Sequence, residues 1–178
     1  MNTFEAGNLT FENFVTLSKK DLEEVLTWRN DERVRKQMLT KDEISLQQHL
    51  QFVESLKSTK EKLYFRVKWK ETPIGVIDYY DIKQNSASWG LYLNPEQMGS
   101  GWGLCLGYAV MECGFEVLKL NKLFCVCLKS NEKALRIYHF LKLAETGTNG
   151  DIINLAISKE TWVSNRESIK PFIKALNQ

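Results

Sequence analysis

The sequence predicts an α+β domain in which a mixed, mostly antiparallel central sheet carries helices on both faces. Segments with apolar residues at helical spacing alternate along the chain with segments in which every second residue is apolar. Their predicted order is a strand, two helices, three antiparallel strands, a helix, a strand, a helix and a hairpin. With 178 residues, the chain fits one domain spanning residues 1–178, which is long enough to bury a sizeable core.

The N-terminal part of the chain predicts a strand and two helices. Alternating apolar residues within 1–16 favour a first strand or an ordered arm. Ser18 is typical of a helix start, and an apolar stripe continues from it through residues 22–29. The second helix is predicted over Leu46–Leu56, where the leucines and Val53 share one face behind a possible cap at Ser45.

Three antiparallel strands are predicted next, because the apolar pattern changes to a period of two. They run through Tyr64–Val67, Ile74–Tyr80 and Ala87–Leu93, with turns at Thr72-Pro73 and at residues 84–86. The simplest arrangement of these strands is a meander.

The C-terminal half predicts one strand-helix-strand crossover and a closing hairpin. A helix over Gly101–Leu118 leads into a strand over Lys122–Leu128. A helix over Asn131–Leu143 precedes a hairpin whose second arm is Ile152–Ile157, and a last short helix is expected over Asn165–Leu176.

Composition and charge exclude several classes of function. The formal net charge is only +2 and the lysines are scattered, so no nucleic-acid partner is expected. No apolar run reaches the length of a membrane span, so no membrane partner is expected either. A cytoplasmic location is expected, because no secretory signal is recognised and the cysteines lie in apolar segments as free thiols. No metal site is expected, because Cys125 and Cys127 have no second Cys or His pair.

The most informative motif is the glycine-rich stretch Met98–Gly103 between a predicted strand and a predicted helix. Alternate glycines let successive backbone N–H groups converge on a ligand, and the helix adds its own free N–H groups. A dinucleotide fingerprint is excluded, because Leu104 stands where it needs a small residue and the next strand ends on Lys129 rather than an acid. No Lys-Ser or Lys-Thr pair follows, which excludes a Walker motif.

The glycine loop and the helix after Leu128 resemble the GCN5-related N-acetyltransferase (GNAT) family, whose members bind acetyl-coenzyme A (acetyl-CoA). The family loop is Gln or Arg, two residues, Gly, one residue, then Gly or Ala. This sequence has Gly101 and Gly103 at the glycine positions, but Met98 departs from the first position. The segment Asn131–Tyr138 is similar to the family block Asn-x-x-Ala-x-x-x-Tyr.

The resemblance implies a direct acetyl transfer from acetyl-CoA to an amine. It implies that Tyr138 lies near the thioester sulfur and protonates the thiolate, and that a backbone N–H of the strand Gly90–Leu93 stabilises the oxyanion. Asp78, Asp81, His49 and Glu96 are alternatives for the base, and Asp78 is taken with Tyr138 as catalytic. The implied cofactor-binding residues are Leu91, Leu93, Met98, Gly99, Ser100, Gly101, Trp102, Gly103, Leu104, Asn131, Ala134 and Tyr138.

A narrower resemblance covers roughly Leu26–Leu143 and concerns the aminosugar N-acetyltransferases of pseudaminic acid biosynthesis. It is carried by Trp28-Arg29-Asn30, His49-Leu50-Gln51-Phe52, Gly75-Val76-Ile77-Asp78 and Gly90-Leu91-Tyr92. It implies that the acceptor is the 4-amino group of a UDP-linked 4-amino-4,6-dideoxy sugar. The residues expected to bind this substrate are Arg29, His49, Tyr80, Asp81, Trp89 and Tyr92, although the aromatic ones fit ordinary packing on a sheet equally well.

Two other functions remain as alternatives. One is a protein N-terminal or polyamine acetyltransferase, which predicts acidic residues rather than Arg29 and His49 on the acceptor side. The other is a non-catalytic acyl-CoA-binding module, which fits poorly with an intact Asn131, Ala134 and Tyr138. The sequence leaves the oligomeric state open, with a homodimer among the alternatives.

Overall fold

The computed structural model describes residues 3–6 and 8–173. The strands are β1 Thr3–Ala6, β2 Leu9–Asn13, β3 Leu63–Trp69, β4 Thr72–Tyr80, β5 Ser86–Leu93, β6 Lys122–Leu128, β7 Ala144–Asn149 and β8 Ile152–Ser158. The helices are α1 Lys19–Asn30, α2 Glu32–Arg35, α3 Leu46–Leu56, α4 Trp102–Glu112, α5 Glu132–Phe140 and α6 Lys159–Ile169. In this part of the chain the strands form one sheet in the order β1-β2-β3-β4-β5-β6-β8-β7.

The predicted α+β class is confirmed. Within the described residues every neighbouring pair of strands is antiparallel except β5 and β6, which run parallel. These two strands are joined by α4, as expected for a crossover connection. The N-terminal arm is a hairpin of β1 and β2, with Asn8 in its turn at φ 64°.

Local capping explains why two helix starts were predictable. Ser18 accepts a hydrogen bond from the Asp21 N–H at the start of α1. Ser45 and Gln48 form a reciprocal capping box at the start of α3. The bounds of α3 therefore coincide with the predicted helix.

Several predicted boundaries were wrong. Thr72-Pro73 was expected to be a turn but begins β4, because the chain reverses one step earlier, where Lys70 takes φ 53°. The last helix was expected over Asn165–Leu176 but begins at Lys159, where Ser158 caps it. It ends at Ile169, and residues 174–176 lie outside the described residues. The helix predicted over 101–118 has α4 followed by a π-helix over Cys113–Val117.

The two faces of the sheet carry separate apolar clusters, and alternate residues of β4 contribute to each. Ile77 belongs to the larger cluster, which packs against α4, α5 and α6. Val76 belongs to the smaller cluster, which packs against α1 and α3. We call these the α4 face and the α1 face. This division decides which side chains of the central strands can meet.

A buried arginine fixes α1 on its face of the sheet. The guanidinium of Arg66 on β3 donates to Glu12 on β2 at 2.8 Å and to Asp21 on α1 at 2.6 Å, and its side chain is only 7% exposed. Charge-assisted hydrogen bonds of this kind are about twice as strong as neutral ones. The position of α1 matters because its C-terminal turn carries Arg29.

Two classes of site are missing from the described part of the chain. None of its helices has the length and apolar character needed to span a membrane. None of its His, Cys, Asp and Glu side chains gather into a group that could hold a metal ion. The four cysteines are buried and form no disulfide bond: Cys105, Cys113, Cys125 and Cys127.

Candidate active site

The central feature of the sheet is a gap between β5 and β6. β5 pairs with β4 from Ser88 to Leu93, but within the described residues it pairs with β6 only through Ser86–Ser88. Beyond Phe124, β8 is the only partner of β6 in residues 3–6 and 8–173. The two parallel strands therefore separate after their third residue pair, and one edge of Trp89–Leu93 faces the gap.

Hydrogen bonds at the two ends of β5 show which of its backbone groups point into the gap. At the C-terminal end the Asn94 N–H donates to the Ile74 carbonyl at 3.0 Å, towards β4. At the N-terminal end the Asn85 carbonyl accepts from the first residue of β6 at 3.1 Å. Backbone groups alternate in direction along a strand and the register is continuous. The N–H and C=O groups of Leu91 and Leu93 therefore face the gap.

The glycine loop lies at the open end of this gap. Gly99 and Gly101 take φ values of 80° and 87°, which non-glycine residues rarely adopt. A Cβ added at either glycine would have no neighbour within 4 Å, so the space above the loop is open. Ser100 and Gly101 are exposed, and Gly101 caps α4 without a side-chain hydrogen bond. The backbone N–H groups of Gly103 and Leu104 lie in the first turn of α4, where helix geometry directs such groups towards an anion.

The neighbours of the loop are packed rather than free. Trp102 is 3% exposed and its ring lies 5.3 Å from that of Trp69. A Cβ at Gly103 would lie 3.1 Å from Ile137, so glycine here allows α4 to approach α5 closely. Leu104 is half-buried against the larger cluster. Met98 is 38% exposed, so its side chain lies outside the core.

α5 supplies a capped helix start and a buried phenol on the α4 face. The Asn131 side-chain oxygen accepts from the Ala134 N–H at 3.3 Å and so caps the helix. Tyr138 is 7% exposed, and its ring meets Trp89 edge to face at 5.2 Å. Burial raises the pKa of Tyr138 well above 10, and neighbouring Cys125 raises it further. The phenol therefore keeps its proton at neutral pH and can donate it.

Asp78 approaches β5 from the α1 face, directly opposite Gly90. A Cβ at Gly90 would lie 3.0 Å from the Asp78 carboxylate, so the missing side chain leaves room for that carboxylate over β5. Asp78 is 9% exposed, and burial raises its pKa from 3.8 to about 7. Such a carboxyl is balanced between acid and base at neutral pH.

The aromatic residues expected at the acceptor divide between the two faces. Tyr80 and Tyr92 share the α1 face with Asp78, because they lie at even spacing from Asp78 and Gly90 along their strands. Burial raises the pKa of both phenols, and the charge of Asp78 raises it further. Trp89 instead lies on the α4 face against Tyr138, so the structure does not place it with the other two.

Arg29 extends from α1 towards Tyr92. Its Nη2 donates to the Thr40 carbonyl at 2.9 Å, while its Nη1 is buried without a hydrogen-bond partner among the described residues. Two further polar atoms in the adjoining segment are also buried without a hydrogen-bond partner among the described residues: Arg35 Nε and Gln37 Oε1. Burial lowers the pKa of Arg29, and the nearby charge of Arg35 lowers it further. No motif in the sequence marks Arg35 or Gln37 as site residues.

His49 is enclosed between α1 and α3. It is 6% exposed, its ring lies 6.1 Å from Phe14, and it bonds to the backbone of Leu22. Burial lowers its pKa, so the imidazole is neutral at pH 7. Its Nε2 has no partner in the part of the chain that the structure describes. The structure thus places His49 below the surface of the α1 face.

The remaining alternatives for the base are exposed. Glu96 has a side chain that is 78% exposed and pairs with Arg33 at 3.2 Å. Asp81 is exposed at the end of β4, where it takes φ 50°. Tyr64, which no motif marks, pairs directly with Asp78 across β3 and β4. The only sequence signal for Tyr64 is its position in a strand with a period of two.

These elements lie along the gap between β5 and β6. The glycine loop at the start of α4 follows the strand edge that faces the gap, and the sheet carries a protonated phenol on one face and a buried carboxyl on the other. Such an arrangement suits an extended, phosphate-bearing molecule that meets a second reactant across the sheet.

This chain matches a protein-family model and a curated protein from a bacterium. Residues 13–142 match the family model described as "Acetyltransferase (GNAT) domain". The chain is 35% identical to the acetyltransferase PseH of Campylobacter jejuni over 130 residues, which cover 73% of this chain and 81% of that protein.

Solved structures extend the comparison. The crystal structure of C. jejuni PseH in complex with acetyl coenzyme A is 28% identical, with a TM-score of 0.72 over 85% of this chain and 99% of that one. A spermidine N-acetyltransferase from Vibrio cholerae, in complex with CoA and spermine, has a TM-score of 0.79 over 89% and 99% of the two chains. At 19% identity, the second match shows only a shared fold.

Proposed function

This chain belongs to the acetyltransferase (GNAT) domain family, and from that premise we propose how it works and on what. It is an acetyl-CoA-dependent N-acetyltransferase. The acceptor that we propose is the 4-amino group of a UDP-linked 4-amino-4,6-dideoxy sugar of pseudaminic acid biosynthesis. The similarity to PseH of C. jejuni supports this substrate.

The gap between β5 and β6 is the observation that carries the proposal. Its strand edge offers the N–H and C=O groups of Leu91 and Leu93, which match the amide groups of a pantetheine arm. The loop around Gly99 and Gly101, with the start of α4, offers N–H groups to a pyrophosphate. Acetyl-CoA bound in this way would supply an activated acetyl group, and Asn131, which follows β6 and caps α5, would help to hold it.

Two side chains move the protons of the reaction. The Asp78 carboxylate accepts a proton from the acceptor ammonium, directly or through water, and its pKa of about 7 suits that exchange at neutral pH. The Tyr138 phenol holds its proton at Oη for the departing sulfur, because its burial raises its pKa well above 10. A backbone N–H at the edge of β5 stabilises the oxyanion.

Arg29 and Arg35 each have one buried guanidinium nitrogen without a hydrogen-bond partner among the described residues, although Arg35 also pairs with Glu43 at 3.3 Å. Leaving a buried guanidinium N–H without an acceptor is costly, and the two cations also repel each other. A diphosphate would satisfy both, because its oxygens match the planar donors of arginine. Tyr92 lies beside Arg29 at the same end of the α1 face, where the acceptor would enter.

The test is release of free thiol from acetyl-CoA with a panel of amines: UDP-4-amino-4,6-dideoxy sugars, spermidine and peptides. We expect turnover of the nucleotide sugars with kcat/KM at least tenfold above that of the other amines. The Arg29→Ala variant should raise the KM for the nucleotide sugar and leave the KM for acetyl-CoA unchanged. Turnover confined to spermidine or peptides would contradict the proposed acceptor while leaving the N-acetyltransferase activity intact.

A further inference from the structure

A second opening lies on the α1 face at the N-terminal end of β5. It is a cavity of about 270 Å³, and its wall includes Glu61, Asp81, Ser86, Ser88 and Phe124. Its position is fixed by the chain reversal between β4 and β5, where the Ile82 N–H donates to the Glu61 carbonyl at 3.1 Å. None of the roles described above requires this cavity, apart from the expectation that Asp81 binds substrate.

The cavity borders the point at which the strands separate. Ser88 and Phe124 are the last residue pair between β5 and β6 before the gap opens. Ser88 is two residues from Gly90 and shares its face, so the wall of the cavity lies about 7 Å along the strand from the position that Asp78 faces. An acceptor whose amine meets Asp78 can therefore extend into the cavity.

The lining combines an aromatic surface with hydrogen-bonding groups. Phe124 is 36% exposed, which is a large fraction for an aromatic residue on an interior strand of the sheet. The carboxylates of Glu61 and Asp81 accept hydrogen bonds, and the hydroxyls of Ser86 and Ser88 both donate and accept them. Ser88 also forms a hydrogen bond with the Tyr80 phenol, which adds a further hydroxyl group to the α1 face, where Asp78 lies.

The charge of the lining argues against a phosphate in this cavity. Glu61 and Asp81 face one lysine of the wall, Lys83. Lys122 is not part of the wall, but its Nζ lies over the Phe124 ring, 5.0 Å from the centroid. The carboxylates of Glu61 and Asp81 balance the ammonium groups of Lys83 and Lys122, so the cavity has no excess positive charge for an anion, whereas hydroxyl groups suit carboxylates. An aromatic ring with carboxylates beside it has the chemistry that holds a sugar, because C–H groups pack against the ring while polar hydrogens bond to the carboxylates.

We propose that this cavity binds the polar edge of the acceptor's pyranose ring, with Phe124 beside the ring and Glu61 and Asp81 accepting hydrogen bonds from its O–H and N–H groups. The inference rests on the proposed function and deepens it. Arg29 and Arg35 hold the diphosphate end, Asp78 meets the amine, and the cavity holds the remaining edge of the sugar. The sugar is thus selected by groups that the family motifs do not include.

The test compares Phe124→Ala and Glu61→Gln with the unmodified enzyme. We expect each variant to raise the KM for the UDP-4-amino sugar roughly tenfold, with the KM for acetyl-CoA and the melting temperature unchanged. Phe140→Ala is the matched control, because Phe140 is exposed to a similar extent, 39%, on α5. It should leave the KM for the sugar unchanged.

Three outcomes would overturn the inference. An unchanged KM for the sugar in both variants removes the cavity from the acceptor site, while turnover of the sugar still supports the proposed function. A raised KM for spermidine in Glu61→Gln, with none for the sugar, identifies a polyamine subsite instead. Absence of any turnover of the nucleotide sugar by the unmodified enzyme overturns the proposed function as well, and so separates the two failures.

Discussion

Replacing Asp78 by Asn should change how stability depends on pH. The carboxyl is 9% exposed, and burial raises its pKa from 3.8 to about 7. The asparagine amide has nearly the same shape, so it fits the space over Gly90 without titrating. The variant therefore isolates the free energy of holding this one charge inside the protein.

The magnitude follows from the two pKa values. Because the folded pKa of Asp78 is the higher one, the native state keeps its proton after the unfolded chain has lost it. Its contribution to stability is therefore full below about pH 4 and is lost as the pH rises through about 7. The difference between the two pKa values corresponds to about 4 kcal/mol of unfolding free energy, of which about 3 kcal/mol is lost between pH 5 and pH 8.

Urea unfolding of both proteins at pH 5 and pH 8 measures this difference. Contributions of the other titrating groups cancel when the pH dependence of the variant is subtracted from that of the wild type. We expect the wild type to lose about 3 kcal/mol more than Asp78→Asn between the two values. The same variant should lose most of its kcat while binding acetyl-CoA normally. Parallel pH dependences would refute the burial of a titrating carboxyl, and an unchanged kcat would remove Asp78 from the reaction.

Three further predictions concern the phenol and the glycines. Tyr138→Phe should lower kcat more than tenfold and change the Kd for acetyl-CoA less than twofold, since only the proton donor is removed; equal loss of both would indicate a binding role. Gly101→Ala should weaken acetyl-CoA binding at least tenfold by calorimetry, because its φ of 87° must be strained in alanine. Gly150→Ala is the control, because Gly150 has φ 57° in the β7–β8 turn and its replacement introduces the same type of strain away from the loop. It should bind acetyl-CoA normally, and similar affinities for the two variants would contradict the assignment of the glycine loop as the phosphate-binding site. Gly75→Ala should destabilise the fold by about 2–3 kcal/mol in urea unfolding, because its Cβ would meet the Tyr92 carbonyl; a loss below about 1 kcal/mol would mean that β4 and β5 separate easily.

Local signals explain what could be predicted from the sequence. The capping box of Ser45 and Gln48 lies within four residues, so the start of α3 was visible in the chain itself. Ser158 caps α6 in a similar way, but the period-two pattern of the preceding strand masked it. The π-helix after α4 has no comparable local signal.

The site was predictable as far as motifs reached. The glycine loop and the block from Asn131 to Tyr138 identified the family, because both depend on short spacings. The direction of the Leu91 N–H depends on the pairing of β5 with two other strands, and pairing over such a distance in the chain leaves no local trace. The burial of His49 against Phe14 depends on tertiary packing for the same reason.

The separation of β5 and β6 also has a mechanical consequence. Three residue pairs are all that join the edges of these two strands in the described residues, so the sheet is nearly two sheets, β1 to β5 and β6 to β8. A bound molecule with amide groups along its length would supply the backbone partners that β6 does not. If acetyl-CoA binds along this edge as proposed, it takes the place of a further strand, and its binding should join the two halves of the sheet and raise the resistance of the enzyme to unfolding.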